Sequence, residues 1–168
     1  MLRRPTSDAV AAEALVLLGA AGATLATAES LTGGRLAGAV TGVPGASAHY
    51  VGGFVTYATE LKESLLGVPA ALVDTYGVVS AECARAMAAG CREATGATYS
   101  LATTGVAGPD LQEGKPVGTV FVGIAGPDGV TTLTMDLVGD RRQVQERACR
   151  EALSALCGIL RGEQPALG

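Results

Sequence analysis

The order of patterns along the chain predicts an α/β fold in which helices cover a mixed sheet. In the first part of the sequence, short apolar runs typical of strands alternate with segments of helical periodicity, as expected for strands joined by helices. Later, the turn sequence Gly126-Pro127-Asp128-Gly129 separates two runs of alternating residues, which predicts an antiparallel hairpin. The length of 168 residues fits a single domain over residues 1–168 and is sufficient for a buried core.

The core is predicted to consist of small aliphatic side chains. Hydrophobic residues make up 48% of the chain, but aromatic residues only 4%, and there is no tryptophan. Ala, Val and Leu must therefore fill the interior, and their size favours close packing of helices on a sheet.

The elements of the first half follow from their start and stop signals. Ser7-Asp8 is a typical helix start, and the apolar face that follows ends near Gly19. Gly42-Val43-Pro44-Gly45 and Gly67-Val68-Pro69 are turn signals. Between these limits we predict a strand over residues 24–28, a helix over about 33–40, a strand over 50–57, and short helices over 60–66 and 70–76.

The second half begins with a well-marked helix. Ser80 is a favourable N-cap, and Glu82 places an acid in the first turn, where the helix dipole favours it. We predict, in order, a helix over 81–94, a buried strand over 97–103, hairpin strands over 118–124 and 130–137, and a helix over 141–160. Residues 1–6 and 161–168 are expected to be flexible tails.

Charge and hydropathy argue against two classes of partner. The net charge is −4, the pI is near 5.0, and the basic residues are scattered, whereas a nucleic-acid surface needs a basic patch. No run approaches the roughly 18 apolar residues of a membrane span. The N-terminal segment turns polar where a signal peptide would need its apolar region, so we expect a cytoplasmic protein. An Ala-rich chain of this kind is also expected to form a homo-oligomer.

The rarity of some side chains limits the possible chemistry. The four cysteines fall in helical patterns without a Cys-x-x-Cys pair, and His49 is the single histidine, so neither a zinc site, a His-rich metal site nor a disulfide framework is expected. Arginine cannot serve as a base because it stays protonated. A Ser-His-Asp triad could be built only on His49. A serine nucleophile with a different base would need Lys62 or Lys115, the two lysines of the chain, with a lowered pKa. The alternative is that both lysines are ordinary surface charges.

A strand-to-helix turn carries the first candidate site. The stretch Thr27-Ala28-Glu29-Ser30-Leu31-Thr32-Gly33-Gly34 places a serine and a threonine before two glycines. Glycines allow a ligand to approach the backbone, and N–H groups at a helix start can bind an oxyanion or a phosphate. The alternative is that Thr32 caps a helix and the glycines permit close packing.

Further reactive side chains fall in loops that follow other strands. In an α/β sheet such loops meet at one edge, which is where ligands bind. This placement predicts that Ser30, Tyr57, Lys62 and Thr104 lie close together. The loop that opens the last helix, with Arg141, is a further candidate.

Five segments of the sequence closely resemble the CinA C-terminal domain family. They occur in the family's order, and the similarity covers roughly residues 7–160. The segments are Thr27 to Gly34, Gly53-Phe54-Val55-Thr56-Tyr57, Gly105-Val106-Ala107-Gly108-Pro109, Lys115-Pro116-Val117-Gly118-Thr119-Val120 and Gly139-Asp140-Arg141. The resemblance implies a three-layer α/β/α sandwich with a mixed sheet. Because the family includes stand-alone nicotinamide-nucleotide amidases, it also implies an amidohydrolase that converts nicotinamide mononucleotide to nicotinate mononucleotide and ammonia, in pyridine-nucleotide salvage.

The same resemblance implies roles for individual residues. It identifies Ser30 as the nucleophile and Lys62 as the base of a serine-lysine mechanism, with Tyr57 and Thr104 in support and Arg141 at the site. The substrate would be a small nucleotide, without a metal or organic cofactor.

Substrate-binding residues are expected on both glycine-rich loops. Backbone N–H groups around Thr32, Gly33 and Gly34 are candidates for the oxyanion site. Arg141 and the loop from Gly105 to Gly108 are candidates for the 5′-phosphate, because guanidinium and backbone N–H groups suit that anion. The alternatives are a surface arginine and a plain turn. The complete set of predicted substrate-binding residues is Thr32, Gly33, Gly34, Ser47, Gly105, Ala107, Gly108 and Arg141.

Two other functions remain open from the sequence. The domain could be a non-catalytic module that binds a nucleotide or a partner protein, or an amidase for another small carboxamide. The sequence also departs from the family where Leu111-Gln112-Glu113 replace the glycines that often follow Gly-Pro-Asp, which leaves the shape of the 110–114 loop open.

Overall fold

The structure, a computed structural model, confirms the predicted α/β fold over residues 4–163, the part of the chain that it describes. These residues form a five-stranded mixed sheet and six α-helices, as one domain. In chain order the elements are α1 (Ser7–Ala21), β1 (Leu25–Glu29), α2 (Arg35–Thr41), a 3-10 turn (Ala46–Ala48), β2 (Tyr50–Val55), α3 (Thr59–Leu66), α4 (Ala70–Tyr76), α5 (Ala81–Thr95), β3 (Tyr99–Gly105), β4 (Thr119–Gly126), β5 (Gly129–Asp136) and α6 (Arg141–Leu160).

The sheet topology brings the carboxyl ends of four strands to one edge. The strand order is β2-β1-β3-β4-β5, in which β1 pairs in parallel with β2 and β3, while β4 and β5 continue as an antiparallel hairpin. The chain therefore leaves β1, β2, β3 and β5 at the same edge, where β4 also starts. This is the edge at which α/β sheets commonly bind ligands.

Helices cover both faces of the sheet, as expected for a three-layer sandwich. One core forms where α1, α2 and α6 pack on Leu25, Leu101 and Val122 of the sheet, and the other where α5 packs on Ala26, Ala28, Ala102 and Ala125. A Cβ on Gly123 of β4 would overlap the Ala84 carbonyl of α5. The small residues of this face therefore let the helix backbone approach the sheet.

Most predicted elements differ from the observed ones only at their ends. Strand β2 ends at Val55 rather than residue 57, and β3 covers Tyr99–Gly105 rather than 97–103. Helix α2 begins at Arg35 because Gly33 and Gly34 have φ values of 57° and 97°, which a right-handed helix cannot include. Helix α6 has the predicted bounds and begins with a capping box between Asp140 and Gln143.

The ends of the described chain are tied to the helices beside them. The Thr6 side chain, rather than Ser7, caps α1 by accepting from Ala9 N–H. Arg161, Gly162 and Glu163, which were expected in a flexible tail, donate backbone N–H groups to the last turn of α6. Of the predicted tail residues, 1–3 and 164–168 lie outside the described residues.

The described residues were compared with the requirements of a membrane span and of a metal site. No helix between residues 4 and 163 is long and apolar enough to cross a bilayer. Over the same range, no three side chains from His, Cys, Asp and Glu come together as a metal cluster would require. All four cysteines are free and buried.

Candidate active site

A pocket of about 300 Å³ opens at the edge where the strands end. It is bounded by the turn after β1, the start of α3, the segment before α5, the long loop after β3 and the first residue of α6. The residues that line it are Ser30, Leu31, Tyr57, Thr59, Lys62, Val78, Val79, Thr104, residues 105–112 and Arg141. The structure thus brings together Ser30, Tyr57, Lys62, Thr104 and Arg141 from four separate segments.

Two residues that line this pocket, a buried lysine and a serine, contact each other. Lys62 lies on α3 and is only 1% exposed, and its Nζ is 3.0 Å from Ser30 Oγ. The same Nζ is 2.6 Å from the Thr56 carbonyl oxygen and 3.3 Å from that of Tyr57. Carbonyl groups can only accept, so they hold two N–H groups of the amine. The remaining position on the nitrogen points at Ser30, where a neutral amine would present its lone pair to the serine hydroxyl.

Burial shifts the protonation equilibrium of Lys62 toward the neutral amine, the form that can take a proton from Ser30. Burial lowers the pKa of Lys62 below its ordinary value of 10.5, because desolvation penalises the charged form. Cys83, Glu113 and Glu60 oppose this shift of the pKa and do not cancel it. Lys62 therefore has the two properties of a general base, contact with the proton donor and a lowered pKa.

Two buried side chains hold the turn that carries Ser30. Glu29 is fully buried, and its carboxylate accepts from Thr32 Oγ1 at 2.7 Å, Leu36 N at 2.8 Å and Ala37 N at 3.1 Å. Gln145, from α6, donates its side-chain Nε2 to the Leu31 carbonyl at 2.8 Å. Sequence reasoning missed both residues. An acid next to the start of a helix was a usable signal for Glu29, whereas the contact of Gln145 joins residues far apart in the chain.

The expected substrate-binding role of Thr32, Gly33 and Gly34 does not fit this geometry. Thr32 is fully buried with its hydroxyl bonded to Glu29 and Thr103, and Gly33 N–H donates to the Ser30 carbonyl. None of the three lines the pocket. The two glycines instead allow the left-handed turn into α2, and Glu29 occupies N–H groups of the first turn of that helix.

We expect Glu29→Gln to lower the free energy of unfolding by about 1–3 kcal/mol. The amide NH2 cannot accept from the N–H groups of α2, so a buried donor would lose its partner. Urea unfolding of this variant beside Glu93→Gln, an exposed acid on α5, measures the difference. A free energy within about 0.5 kcal/mol of the wild type, as for most surface substitutions, would show that the carboxylate is not needed.

Arg141 is fixed at the pocket mouth by two acceptors. Its Nη1 donates to the Gly108 carbonyl at 2.5 Å, and its Nη2 donates to Tyr57 Oη at 3.0 Å. Tyr57 is 61% exposed, so its ring lies at the mouth and its hydroxyl pairs with Arg141, while its backbone carbonyl contacts Lys62. Gly105 and Ala107 also line the pocket beside Gly108.

Thr104 lines the same pocket but its hydroxyl proton is already engaged. The side chain is 1% exposed, and Oγ1 donates to the Val78 carbonyl at 2.7 Å. The hydroxyl oxygen keeps a lone pair, so Thr104 can accept a hydrogen bond from a donor in the pocket.

Comparison with known proteins identifies the family of the chain. The family model for the CinA C-terminal domain matches residues 7–160. The chain belongs to the CinA C-terminal domain family. It is 54% identical over 155 residues to a CinA-like protein of Frankia casuarinae, covering 92% of this chain and 36% of that one. A CinA-like protein of Anaeromyxobacter sp. is 50% identical over 145 residues, covering 86% and 35%. The chain thus spans about a third of the length of these curated relatives.

Solved structures of CinA proteins share the fold. A CinA superfamily protein from Klebsiella pneumoniae superposes with a TM-score of 0.92 at 33% identity, covering 94% of this chain and 99% of that one. A competence/damage inducible protein from Agrobacterium tumefaciens gives 0.88 at 34% identity, covering 96% and 99%.

One residue that was predicted to bind substrate lies elsewhere in the fold. Ser47 is an exposed residue of the 3-10 turn that precedes β2, at the edge of the sheet opposite the carboxyl ends of β1 and β2. It does not line the pocket, so it is not retained as a substrate-binding residue.

The loop that departs from the CinA pattern forms part of the pocket wall. Residues 109–112 line the pocket, and Gln112 pairs with Lys115 through a β-bridge. The Glu113 carboxylate accepts from the N–H groups of Val78 and Val79. The loop whose shape the sequence left open is thus hydrogen bonded to the segment that precedes α5.

Proposed function

We propose that this pocket hydrolyses the carboxamide of nicotinamide mononucleotide to nicotinate mononucleotide and ammonia. The single observation that carries the proposal is the 3.0 Å contact between the buried Lys62 amine and Ser30 Oγ at the pocket. The names of the relatives, CinA-like and competence-damage inducible, specify no reaction. The choice of substrate rests on the resemblance to the nucleotide amidases and on the arginine at the mouth.

In the first step, the serine attacks the amide. Neutral Lys62 takes the proton of Ser30, and Oγ forms a bond to the carboxamide carbon. The tetrahedral intermediate then collapses to an acyl-enzyme ester, and the C–N bond breaks. Lys62 returns its proton to the departing nitrogen, so that ammonia leaves as a neutral molecule. The two carbonyl groups that hold Nζ keep its third position directed at the reacting atoms throughout.

The developing oxyanion needs backbone donors that reach the pocket. Because Gly33 N–H is engaged, we place this role on the N–H of Leu31, which follows the nucleophile and lines the pocket. The N–H groups of Ala107 and Gly108, in the loop that also lines it, are the other candidates. Removal of one such donor typically costs roughly 3 kcal/mol of transition-state stabilisation.

The second step repeats the proton transfers with water. Lys62, neutral again after ammonia has left, takes a proton from a water molecule that attacks the ester. The C–O bond to Ser30 breaks, and the proton on Lys62 returns to Oγ. Thr104 lies in the same pocket with a free lone pair and can orient the amide nitrogen or the water.

Arg141 supplies a site for the 5′-phosphate. Its guanidinium is the group at the pocket mouth that carries a fixed positive charge, and Tyr57 and Gly108 hold its orientation. Arginine binds phosphate through several N–H groups at once. The pocket would then recognise the mononucleotide at one end and act on its carboxamide at the other.

We expect Arg141→Ala to raise KM for nicotinamide mononucleotide by roughly tenfold to a hundredfold, because a charge-assisted contact with phosphate is lost. Steady-state kinetics should show a smaller effect for nicotinamide riboside, which lacks the phosphate. Arg142→Ala, an adjacent exposed arginine that does not line the pocket, is the matched control. An unchanged KM for the mononucleotide would show that the phosphate binds elsewhere.

One assay separates the proposal from the two alternatives. The purified protein is incubated with nicotinamide mononucleotide, nicotinamide or glutamine, and ammonia is measured. Release from the mononucleotide alone supports the proposal. Release from another carboxamide would indicate a different amidase, and binding without release would indicate a non-catalytic nucleotide-binding module.

A further inference from the structure

Glu113 adopts an unusual backbone conformation beside the pocket. Among residues 4–163 it is the one non-glycine residue with a positive φ, at 53°. Residues with a Cβ rarely adopt this left-handed conformation, and it persists where surrounding contacts hold it. Glu113 itself does not line the pocket, but Leu111 and Gln112 immediately before it do.

The contacts that hold Glu113 come from the segment before α5. Its carboxylate accepts from Val78 N at 3.0 and 3.1 Å and from Val79 N at 2.9 Å. Gly77 makes room for it, because a Cβ at that position would overlap Glu113 Oε2. The Glu113 carboxylate therefore fits closely against the backbone of residues 77–79.

This contact joins two walls of the pocket. Val78 and Val79 line one wall, and residues 109–112 line another. Thr104 fixes the first wall through its bond to the Val78 carbonyl. Leu111 is 66% exposed and has little packing of its own, so the second wall depends on Glu113 and on the bridge between Gln112 and Lys115.

We propose that Glu113 is a positioning residue that holds the 109–112 wall in the conformation that binds substrate. The inference rests on the proposed function, since the substrate named there is the one that the wall would contact. Glu113 acts through Val78, Val79 and the loop rather than by touching the substrate. The Ser30–Lys62 contact does not involve this loop. The Glu113 charge does raise the pKa of Lys62, so its loss lowers that pKa further and leaves the amine no less able to act as a base. Loss of Glu113 should therefore weaken substrate binding more than the chemical step.

Three variants release the contact in different ways. Glu113→Gly removes the carboxylate and suits the positive φ, so it should fold. Gly77→Ala keeps the charge of Glu113 but fills the space that the carboxylate occupies, and it also strains the backbone at residue 77, where φ is 76°. Glu113→Gln keeps one acceptor oxygen and is the conservative variant. Asp128→Asn, in the β4–β5 turn at the opposite edge of the sheet, is the control for loss of an acid.

Kinetics with nicotinamide mononucleotide test the positioning role. We expect KM to rise about tenfold in Glu113→Gly and Gly77→Ala, because the wall binds substrate. At a pH above the pKa of Lys62, where the loss of the Glu113 charge no longer changes the protonation of the base, kcat should stay within about twofold of the wild type. Glu113→Gln should lie between these variants and the wild type, and Asp128→Asn should match the wild type.

Hydrogen exchange of the free protein tests the contact without substrate. The amides of Val78 and Val79 should exchange faster in Glu113→Gly than in the wild type, and should be unchanged in Asp128→Asn. Wild-type exchange rates in Glu113→Gly would overturn the inference, since they would show that the carboxylate does not hold the backbone of Val78 and Val79.

The two proposals fail in different ways. If the wild type releases no ammonia from the mononucleotide, the proposed function is wrong and this inference falls with it. If the wild type is active, and Glu113→Gly exchanges faster at Val78 and Val79 but keeps wild-type KM, then Glu113 is only a structural contact and this inference alone is wrong.

Discussion

Ser30→Ala should lower kcat for deamidation of nicotinamide mononucleotide by at least about 10⁴-fold. The substitution removes one oxygen and, among residues 4–163, leaves no other hydroxyl in contact with the Lys62 amine. Loss of a nucleophile from a hydrolase of this type typically costs several orders of magnitude in kcat. The residual rate would come from substrate binding and oxyanion stabilisation alone. Ammonia release at saturating substrate is the measurement.

The substitution should leave the fold intact, which makes a loss of activity interpretable. Ser30 is held through its backbone N–H, which donates to the Thr103 carbonyl at 3.0 Å, and that bond survives in the alanine variant. Ser154→Ala, an exposed serine on α6, is the matched control and should keep full activity. Deamidation by Ser30→Ala at more than a few per cent of the wild-type rate would exclude the acyl-enzyme route.

The sequence was sufficient to predict which segments meet at the site. Ser30 and Tyr57 follow β1 and β2, and Thr104 lies at the end of β3. These three strands are parallel, so their carboxyl ends share one edge. Arg141 reaches the same edge because β5 is antiparallel to β4. Alternation and turn signals are local properties of the chain, which is why they could be recognised without coordinates.

What the sequence could not supply was the direction in which each polar group points. The pattern around Thr32, Gly33 and Gly34 is equally compatible with donors that face a ligand and with donors turned inward. In the structure, N–H groups at the start of α2 face inward, because they donate to the buried Glu29 carboxylate. Such a partner is visible only once the helix is packed on the sheet.

The same limit explains Gln145 and Glu113. Gln145 contacts Leu31 across 114 residues of sequence, and Glu113 contacts Val78 across 35. No local pattern encodes a contact of this kind. The predicted homo-oligomer concerns contacts outside the chain and stays a prediction, which sedimentation or light scattering can test.

Lys62→Arg should lower kcat by roughly a thousandfold or more. Arginine keeps the positive charge but cannot give up its proton at any usable pH, so it cannot take the proton of Ser30. Lys62→Met removes the amine and keeps an unbranched side chain in the buried site. Both variants should be inactive, whereas Lys115→Arg, at the other lysine of the chain, should be active. Substantial activity of Lys62→Arg would show that the lysine acts only through its charge.

The pH dependence provides a second test of Lys62 that does not rely on inactive variants. Since the base must be neutral in the free enzyme, kcat/KM should rise with pH through the pKa of Lys62 and then level off. Burial lowers that pKa, so the midpoint of the rise should lie below 10.5. A profile that shows no such rise would argue against a neutral amine as the base.

The free energy of unfolding should also depend on pH through the lowered pKa of Lys62. Between the lowered pKa of Lys62 in the folded state and its ordinary value of 10.5, the unfolded chain binds more protons than the folded one. The free energy of unfolding attributable to Lys62 must therefore increase as the pH rises through this interval. In Lys62→Met that contribution is absent, so its stability relative to the wild type should fall as the pH rises. Urea unfolding of both proteins across this interval measures the difference. If the free energies of unfolding of the two proteins changed in parallel with pH, the amine would have the same pKa in the folded and unfolded states. Burial would then not explain how Lys62 becomes a neutral base.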